Sequence, residues 1–245
     1  LMPNNIIDIS IFQSTIRMAT PVMLAAMGAL LTGAAGIINI GLEGMMLLSA
    51  FFSVVGSYYF GSAWVGMLTG MLSGVAIAAV FGVFSLKFRA HIILMGIAIN
   101  ALATALTVYL LRAIFHVAGA FSDPAIVGFE SVSIPIIRDI PIVGDLISGH
   151  SPIVYISWFL VIAIHIMLYK TPLGVHLRAV GENQEAAETL GINVKFIKYL
   201  AVILSGILSS LAGAYLSLGQ LTMFTENMSA NRGFMGMAAN IFGMG

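Results

Sequence analysis

The 245-residue chain is 60% hydrophobic and only 8% charged, and its mean hydropathy is +1.04. A soluble domain carries roughly 25% charged residues, so the composition excludes a water-soluble fold and identifies an integral membrane protein. A formal net charge of zero provides no basic field for nucleic acid, and the absence of cysteine excludes disulfides and thiolate metal sites.

The opening LMPNNIIDIS lacks the charged region of a cleavable signal and leads into an apolar run, so it is expected to be retained. A spanning helix needs roughly 20 mostly apolar residues, and 18–38 provides the first. NIGLEGMML follows (39–47), where Glu43 is the one charged residue between Met18 and Leu86. Such a group is expensive in a membrane. Its neighbours Gly41 and Gly44 suit a backbone that breaks and restarts a helix. Glu43 would then stand just before the next helix, satisfied by nearby N–H groups and by a dipole worth about 0.3–1 kcal/mol. Direct contact with a solute is the competing reading.

As one helix, the uncharged run 44–86 would be about 65 Å long, twice a bilayer core. It must fold back, and SYYFGSAW (57–64) is the natural hinge, with Gly61 for the turn and aromatics suited to the interface. Spans at 44–59 and 64–86 result. Residues 92–111, 153–169 and 199–219 complete six, and a seventh apolar piece begins at Gly233. The sequence stops inside it, at ANIFGMG, and is expected to continue beyond Gly245. The whole of 1–245 reads as one transmembrane domain, all-α and polytopic.

Basic residues orient the bundle. Lys87, Arg89 and His91 mark a cytoplasmic loop, and Lys170, Arg178, Lys195 and Lys198 mark a cytoplasmic segment at 171–198. Segment 112–150 holds Asp123, Glu130, Asp139 and Asp145 against Arg112 and Arg138, with Pro124, Pro135 and Pro141, and is expected outside. Extended backward, the alternation brings NIGLEG to the cytoplasmic side, unless the broken helix stays within the membrane. Gly66, Gly70 and Gly74, and likewise Ser205, Ser209 and Gly213, recur every fourth residue and let helices approach closely.

Chemistry-bearing constellations are scarce. Paired histidines at helical spacing, a phosphate-binding glycine loop and an Asp/Glu/His proton chain are all missing. Catalysis within this chain is not expected, nor is a metal or cofactor. Asn39 stands at the break, and Asn100, Thr104 and Thr107 share a face of the fourth span. Interhelical hydrogen bonding, typically about 0.6 kcal/mol each, and a polar lining for a hydrophilic solute are both open. His165 reads as a packed residue.

In the cytoplasmic segment Pro172 cannot continue the preceding helix. QEAAETL (184–190) predicts a two-turn helix with Asn183 as N-cap and Gly191 as its stop. Ala186, Ala187 and Leu190 give it a small apolar surface, which must dock on the bundle or on a soluble partner, since so short a helix is unstable alone.

RMATPVMLAAMGALLTGAAGIINIGLEGMML (17–47), TPLGVHLRAVGENQEAAETLGINVKFIKYL (171–200) with the span after it, and NRGFMGMAANIFG (231–243) together resemble permease subunits of ABC importers. The similarity is greatest to the simple-sugar and nucleoside branch, within the wider family that includes branched-chain amino acid permeases. GALLTGAAG (28–36) departs from a stretch that is often more polar. The resemblance implies that 181–192 contains the coupling helix, with Glu182, Asn183, Ala186, Ala187 and Gly191 at the motif positions. It also implies an ATP-binding subunit that carries ATP and magnesium, and a second permease subunit, forming a heterodimer. An extracytoplasmic solute-binding lipoprotein and a prokaryotic plasma membrane location complete the expectation. The function implied is import of a nucleoside or simple sugar by alternating access. Competing readings are a branched-chain amino acid permease, a secondary transporter, which would show repeats and an ionisable coupling site, and a non-transporting membrane scaffold.

Overall fold

The computed structural model describes residues 9–132 and 148–243. Among the described residues, six helices are long and apolar enough to cross a membrane. They are α1 (Ile9–Ala34), α2 (Leu42–Phe60), α3 (Ala63–Gly82), α4 (Ile92–Phe115), α5 (Pro152–Lys170) and α8 (Val194–Ala214). Three shorter helices are α6 (Pro172–Glu182), α7 (Gln184–Thr189) and α9 (Arg232–Phe242). Two-residue strands β1 (Ala120–Phe121) and β2 (Phe224–Thr225) pair antiparallel, Ala120 facing Thr225 and Phe121 facing Phe224. All-helical architecture follows from the membrane, where only a helix or a closed barrel satisfies its own backbone.

The hinge forms where glycine allows it: Gly61 is left-handed (φ +63°), and its N–H donates to the Ser57 carbonyl at 2.8 Å. Tyr59, Phe60 and Trp64 are exposed around it, as interfacial anchors require. α2 and α3 then pack back to back along the glycine ladder. A Cβ at Gly70 would strike the Ser53 hydroxyl and one at Gly74 the Ser210 hydroxyl, so only glycine permits this spacing. On α8, Gly213 lies against the Met46 carbonyl, while Ser205 and Ser209 receive Gly28 of α1. α2 and α8 are the most buried spans and α1, α3 and α4 surround them, so the core lies between α2 and α8.

Several boundaries differ from the sequence reading. α3 and α8 continue as π-helical turns, Val83–Lys87 and Tyr215–Leu221. α8 begins at Val194 rather than Tyr199 because the Asn193 side chain caps it, accepting from the Phe196 N–H at 3.0 Å. α1 ends at Ala34, four residues early, where Gly36 turns left-handed (φ +73°). The seventh apolar piece is the eleven-residue α9, starting within the bundle.

The cytoplasmic segment holds a helix that the sequence reading missed. α6 starts with Pro172 in its first turn and Thr171 as N-cap, and it ends at Asn183, whose extended backbone separates it from α7. Gly181 at its end lies against Gly36 and the Ala34 carbonyl, joining the cytoplasmic segment to the first break. A Cβ there has no room. Gly181→Ala is therefore expected to cost about 1–3 kcal/mol by overpacking and to lower the detergent melting temperature, with Ala179→Ser on the same helix as the neutral comparison.

Ends of the bundle sort as the charges require. Gly36, Ile38, Arg89 and His91 line one recess at the end that holds the cytoplasmic segment. At the opposite end the Ser57 hydroxyl donates to the Val127 carbonyl at 2.7 Å, and the Gly119 N–H donates to Glu226 at 3.0 Å. Pro135, Arg138, Asp139, Pro141 and Asp145 of the expected external loop lie outside the described residues.

Candidate functional site

Residues 35–41 leave the end of α1 and turn back into the bundle. Gly44 contacts Asn100, roughly 12 Å along α4 from Ile92 at 1.5 Å per residue. Asn39 contacts Ser205, about 16 Å along α8 from Val194 on the same rise. The break therefore packs against α4 and α8 inside the bundle, while Gly36 and Ile38 on its approach line the recess shared with Arg89 and His91.

Backbone groups packed inside a bundle need protein partners. Asn100 supplies two. Its Oδ1 accepts from the Gly44 N–H at 2.8 Å and its Nδ2 donates to the Ile40 carbonyl at 3.0 Å. Asn39 closes the turn, its Oδ1 accepting from the Gly41 N–H at 3.1 Å while Nδ2 donates to the Ser205 hydroxyl at 3.2 Å. Gly41 is the residue before α2, and Gly44 lets Ile99 and Asn100 of α4 close on α2.

Glu43 lies in the first turn of α2 and is 7% exposed. Its carboxylate is satisfied, but by a different helix from the one expected. Oε1 accepts from the Asn231 N–H at 2.8 Å and Oε2 from the Gly233 N–H at 2.7 Å, both at the start of α9. Left-handed backbone at Ala230 (φ +46°) and Asn231 (φ +62°) folds the chain so that both amides reach one carboxylate. Gly233 is required by closeness, since a Cβ would stand 2.7–2.8 Å from the Glu43 N, Cα and Oε2. Two helix N-termini, of α2 and α9, thus meet at one anion inside the bundle, and both dipoles favour it. Sequence reasoning assigned the donors to the restart of Glu43's own helix because those amides are adjacent in the chain. Asn231 before an apolar run was the available signal for a second N-terminus.

Among the four polar candidates, Asn39 and Asn100 converge on the break, and Thr104 and Thr107 do not. The Thr104 hydroxyl donates to the Asn100 carbonyl at 3.0 Å and that of Thr107 to the Ala103 carbonyl at 2.8 Å, both within α4. Thr107 is buried and Thr104 exposed. Among the described residues, no three His, Cys, Asp or Glu side chains come together as a metal set.

At the cytoplasmic end Asn183 caps α7, its Oδ1 accepting from the Ala186 N–H at 3.0 Å, and Gly191 (φ +80°) ends it. The apolar surface expected for this helix is divided. Ala187 is buried against the bundle, whereas Ala186 and Leu190 point outward, Leu190 being 78% exposed. Glu182 is exposed beside them. Leu190, Gly191, Leu173, His176 and Phe196 line a groove of about 470 Å³ next to α7, which gives a soluble partner an apolar foothold.

Comparison with known proteins sets these features in a family. The chain is 35% identical to the nucleoside ABC transporter permease protein NupC of Lactococcus lactis, across 92% of this chain and 72% of that one. It is 32% identical to the guanosine ABC transporter permease protein NupQ of Bacillus subtilis, across 95% and 75%. The glucose ABC transporter permease protein TsgB13 of Haloferax volcanii is 26% identical, across 92% and 61%. A family model described as branched-chain amino acid transport system / permease component matches residues 11–245, and the chain belongs to that family.

Proposed function

We propose that this chain moves a nucleoside, or a related sugar, inward through the plasma membrane as one permease subunit of an ABC importer. The family and the six spans make it a multi-pass permease of a prokaryotic plasma membrane. Such a permease works with an ATP-binding subunit and a solute-binding protein. The finer arrangement we infer is a heterodimer with a second permease, fed by a lipoprotein. ATP and magnesium belong to the ATP-binding subunit, and this chain performs no catalysis.

The observation that carries the choice of solute is the neutral interior. Glu43 has both carboxylate oxygens taken by Asn231 and Gly233. A free mid-membrane helix N-terminus is where a transporter can hold a substrate carboxylate, and here the protein's own anion fills it. That favours an uncharged, hydroxyl-rich solute over a zwitterionic amino acid, as does the identity to nucleoside permeases. Asn39 and Asn100 are the amide groups we assign to such a solute, with Thr104 on the exposed face of α4 one turn from Asn100.

Coupling is assigned to α7. Closure of the ATP-binding subunit would push on Ala186 and Leu190, and buried Ala187 would pass the displacement to the bundle. Discrete repacking, not continuous bending, would complete the step. Uptake of radiolabelled uridine, adenosine, ribose and leucine is the test, with the full set of subunits expressed. Uridine or adenosine uptake is expected, reduced at least about tenfold by Ala186→Arg in an assembled complex, as one unpaired charge in a contact implies. Leucine uptake would replace the nucleoside reading, and uptake without the ATP-binding subunit would overturn the coupling assignment.

A further inference from the structure

One face of α5 carries polar groups where lipid should be. Phe159, Ile162 and Ile166 are exposed on it at 68%, 61% and 48%, and the span has no glycine for close contact with another helix. This is a lipid-facing surface by composition. Yet His165 and Tyr169 are exposed there as well, one turn apart, with ring centroids 5.0 Å apart. The Arg178 guanidinium of α6 lies 5.2 Å from the centre of the Tyr169 ring. The three form a ladder from inside the bilayer to its cytoplasmic edge, in the last turns of α5 before Lys170.

Beside the ladder is a cavity of about 730 Å³ between α1, α5 and α6. Leu30, Leu168 and Val175 make its apolar wall, Arg178 and Tyr169 its polar side, and Glu182 its outer rim. Lys170 is exposed close by in sequence. Among the described residues, no carboxylate is within ion-pair distance of Arg178, whose contact is the Tyr169 ring. A polar group at membrane depth needs a partner, and the rim at the end of a span is where lipid phosphates lie.

We propose that this groove binds one anionic phospholipid of the cytoplasmic leaflet. Arg178, held in place by Tyr169, and Lys170 would face the phosphate, His165 would donate to the glycerol or ester oxygens, and one acyl chain would follow Leu30 and Leu168. Basic pockets at the cytoplasmic ends of spanning helices recognise such headgroups, and stacking on Tyr169 presets the guanidinium. A membrane-embedded protein partner is disfavoured by the bulky side chains of the exposed face, since Ser157 is buried and Ala163 half-buried.

The test uses the complete, assembled transporter in detergent, titrated with phosphatidylglycerol, phosphatidylcholine or soluble glycerol phosphate. Native mass spectrometry counts retained lipid. Phosphatidylglycerol is expected to be retained over phosphatidylcholine, with no binding of glycerol phosphate. Arg178→Gln should lower its affinity about fivefold, the effect of one basic side chain at an anionic surface. Tyr169→Leu should lower it less, and Arg178→Lys should restore most of it. Equal retention of the two lipids, or of phosphatidylglycerol by wild type and Arg178→Gln, would overturn the proposal. Loss of a subunit from the Arg178→Gln complex, with lipid retention unchanged per assembled particle, would also overturn it and assign this face to a protein partner.

Discussion

Glu43→Leu is expected to abolish uptake and to lower the thermal stability of the assembled permease. The leucine removes both acceptors at the start of α9, leaving the Gly233 N–H buried and unpaired and the part-buried Asn231 N–H without its acceptor. A buried unpaired group costs about 1–3 kcal/mol, and the part-buried Asn231 N–H adds less, together a substantial part of a typical stability of about 5–15 kcal/mol. Glu43→Gln keeps one oxygen for one donor and sets its own N–H groups against the other. It should retain the fold with an intermediate loss of stability. Glu43→Asp keeps the charge on a side chain one methylene shorter and should recover less than glutamine. Melting of the detergent-solubilised protein, read beside uptake, separates these outcomes. Wild-type stability and uptake in Glu43→Leu would remove the anchoring role altogether.

The spans were legible because each carries its own signal. Hydropathy alone marks α2 to α5 within a few residues, and Gly61, Asn183 and Gly191 mark their turns and caps through backbone preferences that need no neighbour. What could not be read was whatever depends on two distant segments. Glu43 and Gly233 are brought together by the descent of 222–231 into the bundle, and Asn100 and Gly44 by the packing of α4 on α2. Chain order says nothing of either. α6 was missed for another reason: its mixed composition, PLGVHLRAVGE, has two glycines and looks like a loop. It is helical because Gly174 fits against the Leu168 carbonyl and Gly181 against Ala34, so the residues that argue against a helix are those that let it pack. The pathway candidates on α4 show the same limit. Helical spacing puts Asn100, Thr104 and Thr107 along one stripe of α4, but burial divides them, and where each hydroxyl donates is a matter of local geometry.

Asn100→Leu should separate a structural clamp from a solute contact. In the clamp reading, leucine strands the Gly44 N–H and the Ile40 carbonyl, about 2–6 kcal/mol for two groups. The smaller average of about 0.6 kcal/mol for side-chain bonds between membrane helices is the wrong reference here. Those groups find other partners when a bond is lost, whereas an irregular backbone segment packed between helices has fewer to turn to. Asn100→Asp keeps the acceptor for Gly44 but sets an oxygen against the Ile40 carbonyl, so it should also destabilise. Asn100→Gln carries the same groups on a longer stem and should lose less than either. The clamp therefore predicts that melting temperature and maximal uptake rate fall together, in the order leucine, aspartate, glutamine, with KM for the solute nearly unchanged. A solute contact predicts the opposite split: KM rises several-fold in Asn100→Leu while the melting temperature stays at the wild-type value. Because Asn100 has both amide ends occupied in this conformation, it would contact solute only if the clamp opened during transport, and then stability and KM would both move.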